Sequence, residues 1–266
     1  MVLQHDCKVE SPAGNRGRSN ICNSHQSSQH RTFVITPHSN TNETTNNKRR
    51  KEQSQTFGDS FTTKEEGIIR IVSQNVNCFG VSTHHNHKQE ITKTWLIENS
   101  IDVVGWQETG IASHMFPRNK RLHERMKDPR WSKQRLSAYN NKHERVSRLQ
   151  YGGTAVMAVN EAAHRVKATG GDPTGLGRWS WILFEGKQRH LVRIISAYVP
   201  CKTSGKHRQT VYSQHSRYFQ RTGNTECPRK LLHTHLTTEI NRWQQKGGNI
   251  VLLIDTNENL QRMGPL

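Results

Sequence analysis

The stretch Asn249-Ile-Val-Leu-Leu-Ile-Asp255-Thr-Asn257 is the most informative in the chain, because five consecutive apolar residues end on an acid, a small polar residue and an amide. A run this short and rich in leucine and β-branched residues predicts a strand buried on both faces. Ligand sites of α/β sheets lie outside the carboxyl ends of such strands. We expect Asp255 and Asn257, on the same side of an extended chain, to point together into a cleft. A simple turn is the alternative, since Asp and Asn are common turn residues.

The same plan recurs at three other predicted strands, each of which ends on polar side chains. These strands cover residues 67–77, 101–108 and 190–198, with Asn75 and Asn77, Glu108, and Tyr198 at their respective ends. Further strands are predicted at 152–159 and 178–184, and helices at 88–99 and 228–245. The strand–helix–strand spacing over 67–108 is typical of a crossover unit, which brings two strand ends to one edge of a sheet.

Composition divides the chain into a polar tail and a basic body. Only 31% of its 266 residues are hydrophobic and the mean hydropathy is -0.88, which indicates that part of the chain is unfolded. We predict a disordered tail over residues 1–66. In it, the basic run Lys48–Lys51 favours a solvated charge run, with a nuclear-import or phosphate-binding patch as the alternative. Residues 67–266 hold 30 Lys and Arg against 14 Asp and Glu, and so carry +16 of the +18 net charge. A basic folded part favours a polyanionic partner.

The segment 109–150 has no clear period and is strongly basic. Long loops of this kind are usually functional or disordered, so we expect either a flap that binds nucleic-acid backbone or a merely solvated insertion. The candidate contacts to nucleic acid are Arg118, Lys120, Arg121, Arg125, Arg130, Lys133 and Arg135.

The cysteines and the apolar stretches indicate the cellular compartment. The five cysteines are scattered without a C-x-x-C pair, which argues against a zinc knuckle or disulfide framework. No apolar stretch has the length of a signal peptide's core or of a membrane span. We expect a soluble intracellular protein with no membrane partner, for which the nucleus is one possible location.

The polar residues at the predicted strand ends favour metal chemistry over a nucleophilic serine or cysteine. Carboxylate and amide oxygens are ligands that suit Mg²⁺ or Mn²⁺, which keep part of their water shell and bind substrate phosphates. In such a site the metal neutralises phosphate charge, while a second carboxylate deprotonates or aligns water.

Five motifs in order resemble the endonuclease/exonuclease/phosphatase superfamily, close to its exonuclease III and retrotransposon-endonuclease branches. They are Ser73-Gln-Asn75-Val-Asn77, Asp102-Val-Val-Gly-Trp-Gln107-Glu108-Thr109, Gly152-Gly153-Thr-Ala-Val, Ala197-Tyr198-Val-Pro200 and Ile254-Asp255-Thr-Asn257. The resemblance covers residues 67–260 and implies a four-layered α/β sandwich, in which two mixed sheets are flanked by helices.

The resemblance also implies a role for each matching residue. Glu108 would bind the metal, with Asn75 and Asn77 close to it. Tyr198 would contact the phosphate, Asp255 would activate or orient the attacking water, and Asn257 would hold the scissile phosphate. The family's later aspartate and histidine motif is not found after Asn257, so we expect a truncated or decayed member whose cleavage is impaired.

Three functions fit the sequence. The first is Mg²⁺- or Mn²⁺-dependent phosphodiester hydrolysis of nucleic acid, with DNA favoured over RNA. The second is a remnant that binds nucleic acid without cutting it; such a remnant would nick plasmid barely or not at all, and its Asp255→Asn variant would be no worse. The third is a phosphatase of the same superfamily that acts on phosphoinositides or other small phosphates.

Overall fold

The computed structural model describes residues 63–80, 87–144, 149–202 and 210–257. The predicted tail lies outside these residues except for 63–66, and the basic run Lys48–Lys51 lies outside them altogether. The strands are β1 (Ile71–Asn75), β2 (Val103–Gln107), β3 (Gln134–Tyr139), β4 (Thr154–Val159), β5 (Val166–Gly171), β6 (Trp179–Glu185), β7 (Leu191–Tyr198) and β8 (Gly248–Asp255). The α-helices are α1 (His87–Glu98), α2 (Leu122–Arg125), α3 (Asn160–His164), α4 (Val211–Arg221) and α5 (Pro228–Gln244).

The strands form two mixed sheets of four. The first sheet has the order β1-β2-β4-β3, in which β1 and β2 are parallel and the other pairs are antiparallel. The second has the order β5-β6-β7-β8, in which β7 and β8 are parallel and the other pairs are antiparallel. The predicted architecture of two mixed sheets is therefore confirmed.

Three apolar layers separate the two sheets from each other and from the helices. Because side chains alternate across a strand, Ile71 faces the layer between the sheets while Val72 faces the outer layer under α1. On the second sheet Ile194 faces inwards and Ile195 packs under α5. The neighbouring residues of each predicted apolar run thus serve two different cores, as expected for strands buried on both faces.

Helices cover the outer faces of both sheets. On the second sheet, α5 begins with Pro228 in its first turn, where the missing N–H costs nothing, and buries Leu232 and Leu236 against β7 and β8. Within the described ranges, no helix combines the length and the apolar character needed to cross a membrane.

Two edge strands and three helices were not predicted from the sequence, namely β3, β5, α2, α3 and α4. The expectation of a 42-residue loop over 109–150 is wrong for its described part, since β3 and α2 lie within it. Both strands are at a sheet edge, where one side faces solvent and polar residues are favoured, so their apolar signal is weak. In the sequence, Gly170-Gly171 of β5 is typical of a turn. In the structure both glycines allow close packing, since a Cβ at Gly170 would come within 2.4 Å of Trp181 and a Cβ at Gly171 within 2.5 Å of Tyr139.

Candidate active site

The parallel pairs bring the predicted site residues to one end of the sandwich. Asn75 and Gln107 are register partners at the carboxyl ends of β1 and β2, which places Glu108 one residue beyond. Tyr198 and Asp255 are register partners at the carboxyl ends of β7 and β8. The two sheets pack face to face, so the four strand ends converge.

Asp255 joins the two sheets at this end. Its Oδ2 accepts a hydrogen bond of 2.7 Å from Nδ2 of Asn75, which lies 180 residues earlier in the chain. Its Oδ1 accepts a hydrogen bond of 3.0 Å from the backbone N–H of Asn257. Each carboxylate oxygen therefore has one donor and keeps acceptor capacity for a further ligand. Asp255 is oriented but not saturated.

Glu108 and Tyr198 form the other half of the site. The buried phenol of Tyr198 donates a hydrogen bond to the half-buried Glu108 carboxylate. Burial, the bond to Glu108 and the negative charges of Glu108 and Asp255 raise the pKa of Tyr198 far above its usual range. The phenol thus remains a neutral hydrogen-bond donor, and it lies within electrostatic reach of both carboxylates.

The backbone at the site residues is strained. Asn77, Glu108 and Asn257 have φ angles of 40°, 54° and 50°, in the left-handed region that L-residues rarely adopt. Such conformations cost on the order of 1–3 kcal/mol each and persist only where surrounding structure imposes them. At Glu108 this structure includes a hydrogen bond of 2.7 Å from the Cys78 N–H to the Glu108 carbonyl.

One expectation about side-chain direction, that for Asn257, needs correction. The strand ends at Asp255, so Asn257 does not share one side of an extended chain with it; the Asn257 Nδ2 instead donates to the Val199 carbonyl at 2.7 Å. Asn77 is exposed, and its backbone N–H donates to Oδ1 of Asn75 at 2.9 Å. Both asparagines shape the loops around the site as turn residues.

The glycine pair of the third motif supports the loop that carries Glu108. The carbonyl of Gly152 accepts from the Gly110 N–H at 2.9 Å, and that of Gly153 accepts from the Thr109 N–H at 3.3 Å. Gly153 has a φ of +85°, and a Cβ there would lie 2.7 Å from Oγ1 of Thr109. Glycine is required because the two loops approach so closely.

Sequence reasoning missed four residues that lie at this end of the sandwich. Gln107 Nε2 donates to Oγ of Ser196 at 3.0 Å across the sheets, and Lys88 Nζ donates to the carbonyls of Val76 and Asn77. The Cys201 thiol contacts the Tyr198 hydroxyl, and Arg229 donates to two loop carbonyls near the site. Gln107 lies in the second motif, where no role was given to it. The other three belong to no recognisable motif, so only their position beside strand ends or at a helix start could have pointed to them.

The predicted nucleic-acid contacts divide into internal and exposed groups. Arg125 is partly buried and donates to the Gly80 carbonyl at 3.1 Å, and Arg130 forms a bidentate pair with Asp128. Lys133 lies beside His164, at 3.4 Å. Arg118, Lys120, Arg121 and Arg135 are exposed. The structure therefore distributes these cations over a surface and does not gather all seven at one site.

The donor set at the strand ends suits a hard divalent cation. Among the described residues, no three or more His, Cys, Asp or Glu side chains form a group that could enclose a metal. Mg²⁺ does not require such a cage, because it is usually held by one or two carboxylates, waters and substrate phosphate. Glu108, Asp255 and the Asn75 amide are donors of this type, and neither carboxylate forms an ion pair within the described part of the chain.

Comparisons place this geometry among known structures. No family model and no curated protein sequence matches the chain. It is similar to a 3'-5' exonuclease from Neisseria meningitidis, with 16% identity over 70% of this chain and 57% of that one and a TM-score of 0.42. It is also similar to an AP endonuclease from Archaeoglobus fulgidus, with 20% identity over 57% of this chain and 51% of that one and a TM-score of 0.33.

A third similar structure is an endonuclease/exonuclease/phosphatase family protein from Leptotrichia buccalis, with 16% identity, 59% of this chain and 64% of that chain covered, and a TM-score of 0.32. The chain thus spans little more than half of the length of the first structures that it matches.

Proposed function

We propose that this protein hydrolyses phosphodiester bonds in nucleic acid with the help of a divalent cation, Mg²⁺ or Mn²⁺. The observation that carries the proposal is the convergence of Asn75, Glu108, Tyr198 and Asp255 at one end of two packed sheets. Two carboxylates, a neutral phenol and an amide form a site that can hold a phosphate through a cation and align a water against it.

Asp255 is the residue placed to orient the attacking water. The donors of Asn75 and Asn257 fix both carboxylate oxygens, and their remaining lone pairs can accept the water's proton. A base must be within hydrogen-bond reach of the proton it removes, and fixing its orientation in advance lowers the entropic cost of that geometry. Asn75 therefore contributes by holding Asp255.

Glu108 is the primary candidate to hold the cation, with Asn75 close to it. When bound, the cation would neutralise charge on the phosphate and on the leaving oxygen. The left-handed backbone of Glu108 turns its side chain out of the strand line, beside Tyr198. The strain at this position fits a ligand-binding role, because strained residues cluster at such sites.

Tyr198 is the candidate donor to a phosphate oxygen. Its raised pKa keeps the proton on the phenol at neutral pH, so it can donate a hydrogen bond where negative charge develops. Asn257, which the sequence predicts as a phosphate contact, holds the Val199 carbonyl through its Nδ2 and can offer only its remaining amide atoms.

Nucleic acid is the proposed substrate class, with DNA favoured over RNA. The +16 charge of residues 67–266 supports a polyanion, because a basic surface releases counterions when it binds phosphate backbone. Exposed Arg118, Lys120 and Arg121 lie on the segment that follows Glu108, which makes them the first candidates for backbone contact.

Nicking of supercoiled plasmid in the presence of Mg²⁺ tests the proposal. The unmodified chain should nick, and both Glu108→Gln and Asp255→Asn should lose at least about a hundredfold in rate, as removal of one group that stabilises the transition state does. The matched control is Glu185→Gln, because Glu185 pairs with Lys167 at the opposite end of β6.

The outcome separates hydrolysis from simple binding. If the unmodified chain binds plasmid but nicks no faster than Asp255→Asn, the hydrolytic proposal is wrong and the protein is a nucleic-acid-binding module. If nicking is equally fast with EDTA in place of Mg²⁺, the cation has no part in it.

A further inference from the structure

Arg229 connects the two loops that carry the predicted catalytic residues. It lies in the first turn of α5, where its Nη1 donates to the Pro200 carbonyl at 2.9 Å and its Nη2 donates to the Thr256 carbonyl at 3.3 Å. Pro200 comes two residues after Tyr198, and Thr256 comes directly after Asp255. One guanidinium therefore spans the loops after β7 and β8.

These loops are also bonded to each other beneath Arg229. The Val199 N–H donates to the Asp255 carbonyl at 2.9 Å, and the Asn257 Nδ2 donates to the Val199 carbonyl at 2.7 Å. Four hydrogen bonds thus fix the chain on either side of Tyr198 and Asp255. A displacement of either loop would change the separation between phenol and carboxylate.

The helix that carries Arg229 is a rigid support. Leu232, Leu236 and Trp243 of α5 are buried against the outer face of the second sheet, with exposed fractions of 0%, 4% and 7%. A site held from a packed helix is more precise than one held by loops alone. The planar fork of arginine can satisfy two carbonyls at once, whereas a lysine ammonium is a single point.

We propose that Arg229 is a positioning residue of the catalytic centre, which holds Tyr198 and Asp255 at the separation needed to act on one phosphate. The inference rests on the proposed function and adds to it a residue outside the five motifs. Arg229 acts through the Pro200 and Thr256 carbonyls. Its role is therefore geometric, and it differs from those of Glu108 and Asp255.

Initial rates of Mg²⁺-dependent nicking over a range of plasmid concentrations give the first measurement. In Arg229→Ala, kcat should fall about a hundredfold, the cost of a misplacement of about 1 Å. KM should change little, because substrate binding is retained. Arg229→Lys should lose less than Arg229→Ala, since its ammonium can reach only one carbonyl. The control is Arg242→Ala, which removes an arginine from the other end of α5, where it pairs with Glu239.

Two further readouts separate positioning from a general effect on folding. Guanidinium chloride at low concentration should restore part of the nicking by Arg229→Ala, whereas NaCl at the same ionic strength should not. Hydrogen exchange of the Val199 and Asn257 amides, which both donate to Asp255, should become faster in Arg229→Ala while the amides of β4 keep their protection. Arg242→Ala should leave both amides unchanged.

The results overturn or support the proposal in each case. Wild-type kcat in Arg229→Ala overturns it, as does an unchanged exchange rate at both amides. If Arg229→Ala does not fold, Arg229→Lys carries the test, and a wild-type kcat in that variant overturns the proposal. If the unmodified chain does not nick, the proposed function fails, while the exchange rates still decide whether Arg229 holds the two loops.

Discussion

Two acidic sites lie side by side at the same end of the sandwich, and they are built in opposite ways. Asp172 and Arg178 form a bidentate ion pair, with Nε–Oδ2 at 2.6 Å and Nη2–Oδ1 at 2.9 Å, and both side chains are fully buried. Asp255 and Glu108 are half-buried and form no ion pair with any residue that the structure describes. The two sites are neighbours, because the Tyr198 N–H donates a hydrogen bond of 3.0 Å to the Arg178 carbonyl.

The difference separates an acid that stabilises the fold from two acids that remain accessible to a ligand. Burial opposes ionisation of Asp172, but the hydrogen bonds and charge of Arg178 outweigh it and hold the Asp172 pKa below its ordinary value. An unpaired charge cannot be buried so deeply at reasonable cost. Asp255 and Glu108 are only half-buried and have no cationic partner among the described residues, which leaves their oxygens able to bind a cation.

The largest predicted effect is on stability, from breaking the buried pair. Asp172→Asn leaves the Arg178 guanidinium buried without a counter-charge, so the free energy of unfolding should fall by about 3–5 kcal/mol. Urea unfolding measures it. The control is Glu185→Gln, which breaks an exposed pair with Lys167 that should contribute about 0.2–1 kcal/mol. If the two variants lose equal stability, the buried Asp172–Arg178 pair contributes no more to stability than the exposed pair, and the structural role given to Asp172 is wrong.

The second prediction concerns His215, which is fully buried near the ion pair. Burial first, and then the charge of Arg178, lowers the pKa of His215 to about 3 from 6.5. Because the unfolded chain takes up the proton first, stability is fully present above pH 6.5 and is lost progressively as the pH falls towards about 3.

Unfolding measured between neutral pH and mildly acidic pH tests this loss. In His215→Phe the stability difference between the two conditions should shrink, because an apolar ring has no proton to take up. His233→Phe, at an exposed position of α5, is the matched control and should keep the wild-type dependence. An equal pH dependence in wild type and His215→Phe would contradict the assignment.

The third prediction concerns Glu108. Its replacement should change stability little but should abolish the stabilisation of the protein by Mg²⁺. Without metal, Glu108→Gln should be about as stable as the unmodified chain, because an amide of the same shape leaves the backbone conformation at this position unchanged. With Mg²⁺ at a hundred times its Kd, the unmodified chain should gain about 2.7 kcal/mol, and Glu108→Gln should gain nothing. Thermal denaturation with and without Mg²⁺ measures both, and an unchanged magnesium response in the variant removes Glu108 from the site.

The smallest predicted change is in the salt dependence of DNA binding. Replacing Arg118, Lys120 and Arg121 by Ala should flatten the plot of log affinity against log salt by about 0.9 for each phosphate that the protein no longer neutralises. The control removes Lys187, Arg189 and Lys246, which are exposed at the other end of the second sheet. If both triple variants have the same slope, the segment after Glu108 is not a preferred contact surface.

The strands that are buried on both faces could be predicted from the sequence, even where they lie at a sheet edge, as β1 and β8 do. β1, β2, β4, β7 and β8 have apolar layers on both faces, so each appears in the sequence as a short run of apolar residues. The strands β3 and β5 could not be predicted, because one side of each strand contacts solvent and the other contacts residues that are distant in the sequence. Gly171 is the clearest case, since its close neighbour is Tyr139 of the other sheet.

The motifs identified the residues of the candidate site, but they did not show the contacts between these residues. The order of the motifs pointed to Asn75, Glu108, Tyr198 and Asp255. It did not show that Asn75 donates to Asp255 from 180 residues away, or that Tyr198 donates to Glu108. Arg229 was not found at all, because an arginine in the first turn of a helix is common. Its importance depends on the packing of α5 beside two loops, which the sequence does not show.

Which residues end buried strands can be predicted from the sequence, because the alternation and length of apolar runs are local properties of the chain. Asp172 and Asp255 both lie at a strand end, and the strand ends alone do not tell them apart. The ionisation and reactivity of a carboxylate depend on burial and on the nearest cation. The cation beside Asp172 is Arg178, only six residues later, but the complete burial that makes this pair structural arises when distant segments pack together. Tertiary packing also leaves Asp255 half-buried and available to a ligand.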